Sequence, residues 1–403
     1  MIELLERLGY YPRFCVWELT LACDLRCLHC GSHAGPRRAD ELDFDECMRI
    51  ADELASLSCE KVTLGGGEPT LHPRWHEIGR RLSDRGVKVN VISNGWAWSK
   101  QRLEEARHAK LTNVAFSLDG FEQAHDQVRR KGSFERVIQA IDLCVSEGMP
   151  TSIVTHVNQL NLRQMPELRD FLRDKGIASW QLQLGIPSGT MSDHHELVIA
   201  PEELLWLVPQ IAELRGDDQS KPIVCPSDNI GYYGKYEKAL RDKGAPINFW
   251  IGCRAGCQVI GIESNGNVKG CLSLPSARHG KDQFLEGNLR QSSLRELWER
   301  PGAFAFNRNF SEAQLTGFCA RCRFRDICRG GCSWTAYSHT SNRFDNPYCF
   351  YRQAVLHHRL DLLGDDQPNA DELAFAALDE LERPARKAVA DADPTGMSGL
   401  GHG

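Results

Sequence analysis

Short runs rich in β-branched and aromatic residues alternate with longer amphipathic stretches through the first half of the chain. The runs read as strands over Phe14–Leu21, Lys61–Leu64, Lys88–Ile92, Asn113–Ser117, Thr151–Val157 and Trp180–Leu184. Helical patterns lie between them. One is Phe44–Leu57, which Asp43 and Glu46 open with the spacing of a capping box. Strand–helix alternation at this spacing predicts parallel βαβ units. Six units are too few for a closed eight-stranded barrel, so the pattern predicts an α/β fold with an open, partial (βα)6 TIM-like barrel. Chemistry in such barrels sits at the C-terminal ends of the strands.

The texture then changes. Residues 1–225 read as the barrel core and 226–250 as a connecting segment. Residues 251–362 form a cysteine-rich module with more glycine and shorter elements. From 363 to 403 the chain turns acidic and reads as a mobile tail, although Ala370–Leu381 has the pattern of a short helix. Overall composition is ordinary for a globular protein, 41% hydrophobic and 25% charged. The net charge of −6, without a basic block, argues against a nucleic-acid partner. The start "MIELLERLGYYPRF" has no apolar core of a secretory signal, and no run approaches the ~18 apolar residues of a membrane span. Cytoplasm is the expected location.

Sixteen cysteines are many for such a chain, and in a reducing compartment clustered cysteines bind metal more often than they pair. Cys23, Cys27 and Cys30 stand as Cys-x3-Cys-x2-Cys just after the first strand. Three thiolates in a short loop can grip three corners of a four-iron cube and leave the fourth iron open. A structural zinc would need a fourth ligand, for which His33 is a candidate, but such sites favour paired Cys-x2-Cys knuckles.

This loop resembles that of the radical SAM enzymes. The resemblance implies a [4Fe-4S] cluster whose open iron is chelated by S-adenosyl-L-methionine (SAM). It implies reductive cleavage of SAM to a 5′-deoxyadenosyl radical that takes hydrogen from substrate. Gly66-Gly67-Glu68-Pro69, one βα unit later, resembles the family's glycine turn, which meets the amino group of SAM. Ser93 and Asn94 at the third strand end match positions that bond ribose, and Ser117 matches a cofactor contact. Arg129 stands where the family often places a cation for the SAM carboxylate, with Arg130 adjacent. Alternation turns Ala115, Ser117, Asp119, His156, Asn158, Gln181 and Gln183 inward.

The module carries Cys253, Cys257 and Cys271 around a hairpin whose turn is Asn265-Gly266. Cys319, Cys322, Cys328, Cys332 and Cys349 follow. This resembles the SPASM domain, and eight thiolates suffice for two more four-iron clusters. The family's interleaved pattern implies Cys253, Cys257, Cys271 and Cys332 for one and Cys319, Cys322, Cys328 and Cys349 for the other. Where sulfatase-maturing relatives have a basic aspartate after the hairpin's second cysteine, this chain has Leu272 and Ser273, which speaks against that activity. Of the remaining cysteines, Cys15, Cys47, Cys59 and Cys144 read as core, and Cys225 is a candidate for a substrate-site role.

The resemblance implies an oxidoreductase that modifies a peptide or protein by cross-linking, oxidation or epimerisation, with flavodoxin or ferredoxin as electron donor. The short stretch before Phe14 leaves no room for a leader-binding domain, so peptide recognition is expected from a separate leader-binding protein or from the module itself. The alternatives are the same chemistry on a tetrapyrrole or sugar-derived acid, and a non-enzymatic iron–sulfur or zinc scaffold.

Overall fold

A computed structural model describes residues 9–216, 221–241, 248–276 and 282–379. At its centre is one open sheet of ten strands. These are β1 Phe14–Thr20, β2 Lys61–Gly66, β3 Lys88–Ser93, β4 Asn113–Ser117, β5 Thr151–Val157, β6 Ser179–Leu184, β7 Ile223–Pro226, β8 Val259–Ile262, β9 Asn267–Lys269 and β10 Leu285–Asn288. Their order is β10-β9-β8-β1-β2-β3-β4-β5-β6-β7. Neighbours from β1 to β7 are all parallel, as strand–helix alternation requires. The six expected strands are present, each within two residues of its predicted bounds.

The helices α1 Phe44–Ser56, α2 Trp75–Asp84, α3 Lys100–His108, α4 Glu122–Val128, α5 Ser133–Ser146, α6 Met165–Asp174 and α7 Leu204–Arg215 connect the strands. In α1 the capping box is complete, with Asp43 accepting from the Glu46 amide and Glu46 from the Asp43 amide. Its Cys47, Ile50, Ala51 and Leu54 recur at helical spacing and are buried in one core with Trp17, Val62 and Leu64. Truncating the fully buried Ile50 to Ala would cost about 2–5 kcal/mol. Cys15, Cys47, Cys59 and Cys144 belong to the same core.

Two features depart from the pattern. β7 is a seventh parallel strand that crosses the expected boundary at residue 225. Its four residues bury only Val224 well and end in Pro226, so no alternation marks it, and an edge position tolerates the proline. β8 pairs parallel with β1, Phe14 opposite Val259, and antiparallel with β9. The hairpin thus covers the open edge of β1 and makes the barrel and the cysteine module one sheet.

The start of the expected tail is anchored. Residues 370–379 are helical, and fully buried Glu372 accepts from the Arg323 amide at 3.0 Å and the Tyr351 hydroxyl at 3.1 Å. The rest of the tail, 380–403, lies outside the described residues. Among the described residues no helix is long and apolar enough to cross a membrane.

Candidate active site and cluster-binding residues

The loop after β1 is closed on itself. Cys23 N–H donates to Gly35 O at 2.9 Å and Gly35 N–H to Leu21 O at 3.0 Å. Buried Glu41 fixes its entry by accepting from Thr20 Oγ1 at 2.9 Å and the Leu21 amide at 2.8 Å. Within this frame Cys23, Cys27 and Cys30 are electrostatic neighbours. Amides point at the sulfurs, Leu25 N to Cys23 Sγ at 3.4 Å and Ala34 N to Cys30 Sγ at 3.3 Å, as suits thiolates that hold iron. Burial pushes the metal-free Cys23 thiol up to about 12 and Cys27 to about 11. Thiols raised in this way would have to lose their protons to bind a metal. A turn after β6 closes over the loop, with Thr190 N–H donating to Cys30 O at 2.8 Å. Gly189 makes this approach possible, since a Cβ there would stand 2.2 Å from Cys30 O.

The glycine turn packs against the same loop. Gly67 N–H donates to Thr20 O at 2.9 Å and Glu68 N–H to Ala22 O at 2.7 Å. A Cβ at Gly67 would meet Ala22 O at 2.3 Å, so the two backbones touch where only glycine fits. Pro69 opens the short 3-10 turn that follows. Glu68 is buried and points inward, accepting from Thr70 Oγ1 at 2.6 Å and the Asn94 amide at 2.8 Å. Burial raises its pKa. Asn94 Nδ2 donates to Asp24 Oδ1 at 2.7 Å, and Ser93 Oγ accepts from the Gly95 amide at 3.1 Å. Ser117 ends β4 half-buried.

Arg129 and Arg130 separate cleanly. Arg129 is buried, its Nε 2.6 Å from Asp119 Oδ2 and its Nη1 3.9 Å from Cys27 Sγ. Arg130 is exposed, over the Trp96 ring at 4.1 Å. Asp119 also accepts from His29 Nε2 at 3.0 Å and the His156 amide at 2.8 Å. Burial alone would raise Asp119, but Arg129 and His29 outweigh it and hold the carboxyl well below the usual range. The sequence had turned Asp119 inward without showing that it gathers His29 and Arg129 under the cysteine loop.

A cavity of about 850 Å³ opens between the barrel interior and the module. Gly66, His156 and Gln183 line it from the barrel; Leu272–Ser276, Trp334 and Tyr337 line it from the module. Asn158 instead fastens a turn, accepting from the Leu160 amide at 2.9 Å, and neither Gln181 nor Cys225 is part of the wall. Two carboxylates do line it, and the sequence reading missed both. Glu18 accepts from Arg38 Nη2 at 3.1 Å and Ser264 Oγ at 2.7 Å. Glu263 accepts from Ser276 Oγ at 2.7 Å and pairs with buried Lys269 at 3.0 Å. Glu18 sits on an inward strand position, which alternation could have flagged.

In the module the thiols fall into two groups. Cys319, Cys322, Cys328 and Cys349 line one pocket together. Cys253 is the electrostatic neighbour of Cys257, Cys271 and Cys332. Burial raises all of the second-named three, Cys257 and Cys271 to about 11, and likewise Cys319 to about 12 and Cys349 to about 11. Among the described residues no three such side chains converge closely enough for a single metal ion. Four thiols around one pocket suit a four-iron cube.

Residues 17–172 match the radical SAM superfamily, and residues 253–323 match SPASM, an iron–sulfur cluster-binding domain. The AdoMet-dependent heme synthase of Methanosarcina barkeri is 29% identical over 355 residues, 85% of this chain and 97% of its own. Mycofactocin maturase MftC of Mycolicibacterium smegmatis is 31% identical over 345 residues, 82% of this chain and 81% of its own. Among solved structures, Streptococcus suis SuiB bound to S-adenosylmethionine aligns with a TM-score of 0.67 at 17% identity, over 84% of this chain and 76% of SuiB. That likeness shows the fold. The chain belongs to the radical SAM enzymes that carry a C-terminal SPASM domain. Its cofactors are SAM, a [4Fe-4S] cluster and auxiliary iron–sulfur clusters.

Proposed function

We propose that this enzyme modifies a peptide or protein, in the manner of a maturase for a ribosomally made peptide. The charge of the cavity carries this reading. Among the described residues its lining holds one arginine, Arg38, already paired with Glu18, and a second carboxylate, Glu263, paired with Lys269. Serines and aromatic rings make much of the remaining wall on the module side. A balanced, partly open cavity suits an uncharged peptide segment. Among the described lining residues, a tetrapyrrole with several carboxylates would meet one arginine, and that one is already paired with Glu18.

Cys23, Cys27 and Cys30 would hold the SAM cluster, and the two groups of four would hold two auxiliary clusters. When bound, the first cluster and SAM supply a 5′-deoxyadenosyl radical that removes hydrogen from substrate. This chain's residues do the positioning. Gly66 and Gly67 would bring backbone close to the amino acid end of SAM, Ser93 and Asn94 would meet the ribose, Ser117 would border the cofactor, and Arg129, beside Cys27, would offer a cation. With Leu272 and Ser273 after Cys271, Glu263 is the ionised carboxylate that this wall presents to substrate.

The second reading, a small-molecule substrate, rests on the heme synthase, which this chain matches over 97% of its length, and on a 26% identical Fe-coproporphyrin III synthase. Co-expression with short peptides encoded beside the gene, followed by mass spectrometry, tests the proposal. Loss of two hydrogens, or deuterium gained from solvent, supports it. Turnover of an iron porphyrin with every such peptide unaltered overturns it.

A further inference from the structure

We infer that the outer face of the cysteine loop is the docking surface for an acidic one-electron carrier protein of the flavodoxin or ferredoxin class. The inference rests on the reading that Cys23, Cys27 and Cys30 hold the cluster. Arg26, Arg130, Lys131 and Arg136 are all exposed. Arg26 Nη1 donates to Cys23 O at 2.7 Å, and Arg130 Nη1 to Asp24 O at 3.3 Å. Arg130 and Arg136 both lie over the ring of Trp96, at 4.1 and 5.7 Å. These contacts bind three guanidinium groups into one patch, a single backbone bond away from the first cluster ligand.

Asp24, Asp126 and Glu135 stand near Arg26, Arg130, Lys131 and Arg136 and keep their charges on neutral donors, so the patch is net basic by the excess of cations. Asp24 is taken by Asn94, and Asp126 accepts from Ser133 Oγ and the amides of Gly132 and Phe134. Glu135 is exposed on the same helix and accepts from Gln139 at 3.2 Å. Arginines elsewhere on the surface, such as Arg81 and Arg85 on Asp52, are paired with carboxylates, in a chain of net charge −6. A concentrated basic face on an acidic protein steers an acidic partner and sets its approach. None of Arg26, Trp96, Arg130, Lys131 or Arg136 lines the large cavity. Substrate and reductant thus reach the cluster from different sides. In each encounter the reduced carrier loses one electron and the cluster gains one, with no bond made or broken.

The test is a binding titration of the reconstituted holoenzyme with a recombinant flavodoxin, over a series of salt concentrations. Binding should weaken steeply with salt. The double variant Lys131→Glu/Arg136→Glu should bind about tenfold or more weakly. Its flavodoxin-driven cleavage of SAM should slow, while dithionite-driven cleavage stays at the level of the unchanged enzyme. Unaltered flavodoxin affinity in the variant overturns the inference. So does loss of affinity for the peptide substrate in place of flavodoxin, which would make the face part of a substrate channel. Failure of dithionite-driven cleavage in the unchanged enzyme would count against the cluster assignment, and the titration would still decide the docking face.

Discussion

The backbone N–H of Asn94 donates to Glu68 Oε2 at 2.8 Å, and Asn94 Nδ2 reaches Asp24 Oδ1 at 2.7 Å. Three segments from three strand ends are thereby one hydrogen-bonded unit: the glycine turn, the end of β3 and the cysteine loop. Glu68 is the joint, because its other oxygen accepts from Thr70.

Replacing Glu68 by Ala leaves buried donors at Asn94 and Thr70 without an acceptor. The expected costs are about 1–3 kcal/mol of stability and about tenfold in SAM affinity, with iron content retained. Equilibrium dialysis with SAM and an anaerobic melting curve measure both. Full SAM affinity would contradict the assigned role.

The interleaved thiol groups predict iron contents. The anaerobically reconstituted protein should hold about twelve irons, and the Cys23/Cys27/Cys30→Ala variant about eight. The Cys319→Ala/Cys349→Ala pair should remove only about four, since both line one pocket. The Cys253→Ala/Cys349→Ala pair should remove about eight. Equal losses from the two pairs would refute the partition.

Lys269 is fully buried, with Glu263 at 3.0 Å and Asp282 at 3.1 Å. Lys269→Met strands both carboxylates. Breaking such a pair costs about 3–5 kcal/mol, so the melting temperature should fall by several degrees. An unchanged melting temperature would show that these carboxylates reach water.

Burial lowers His125 and His156 to about 3, so both stay neutral in the fold. His125 Nδ1 also accepts from the Asp119 amide at 3.0 Å, which a protonated ring could not do. Unfolded, each titrates near about 6.5. Between that pH and about 3 the unfolded chain binds protons that the fold refuses. Stability should therefore fall as pH drops through this window, by at most about 1.4 kcal/mol per unit per histidine, and these groups add no slope above it. Melting curves from pH 7 downward check this, and His125→Gln should flatten the slope.

Much of the fold was legible because parallel strands buried on both faces read as apolar runs between amphipathic helices. The cysteine spacings and the glycine turn were legible for the same local reason. The rest depends on residues far apart in sequence. No local pattern pairs Phe14 with Val259, joins Glu18 to Ser264, or sets Glu263 and Lys269 on a cavity wall. That Arg129 is buried against Asp119 while Arg130 lies exposed over Trp96 also needed coordinates, since adjacent residues at a helix end point opposite ways.

The central claim is radical modification of a peptide at the site built by Cys23, Cys27 and Cys30. The most direct measurement follows 5′-deoxyadenosine and substrate mass together, anaerobically, with SAM, a reductant and the peptide encoded beside the gene. The account predicts 5′-deoxyadenosine formed in step with altered peptide, and neither product from the Cys23/Cys27/Cys30→Ala variant. Cleavage that persists in that variant, or an unaltered peptide beside a consumed tetrapyrrole or sugar acid, would contradict it.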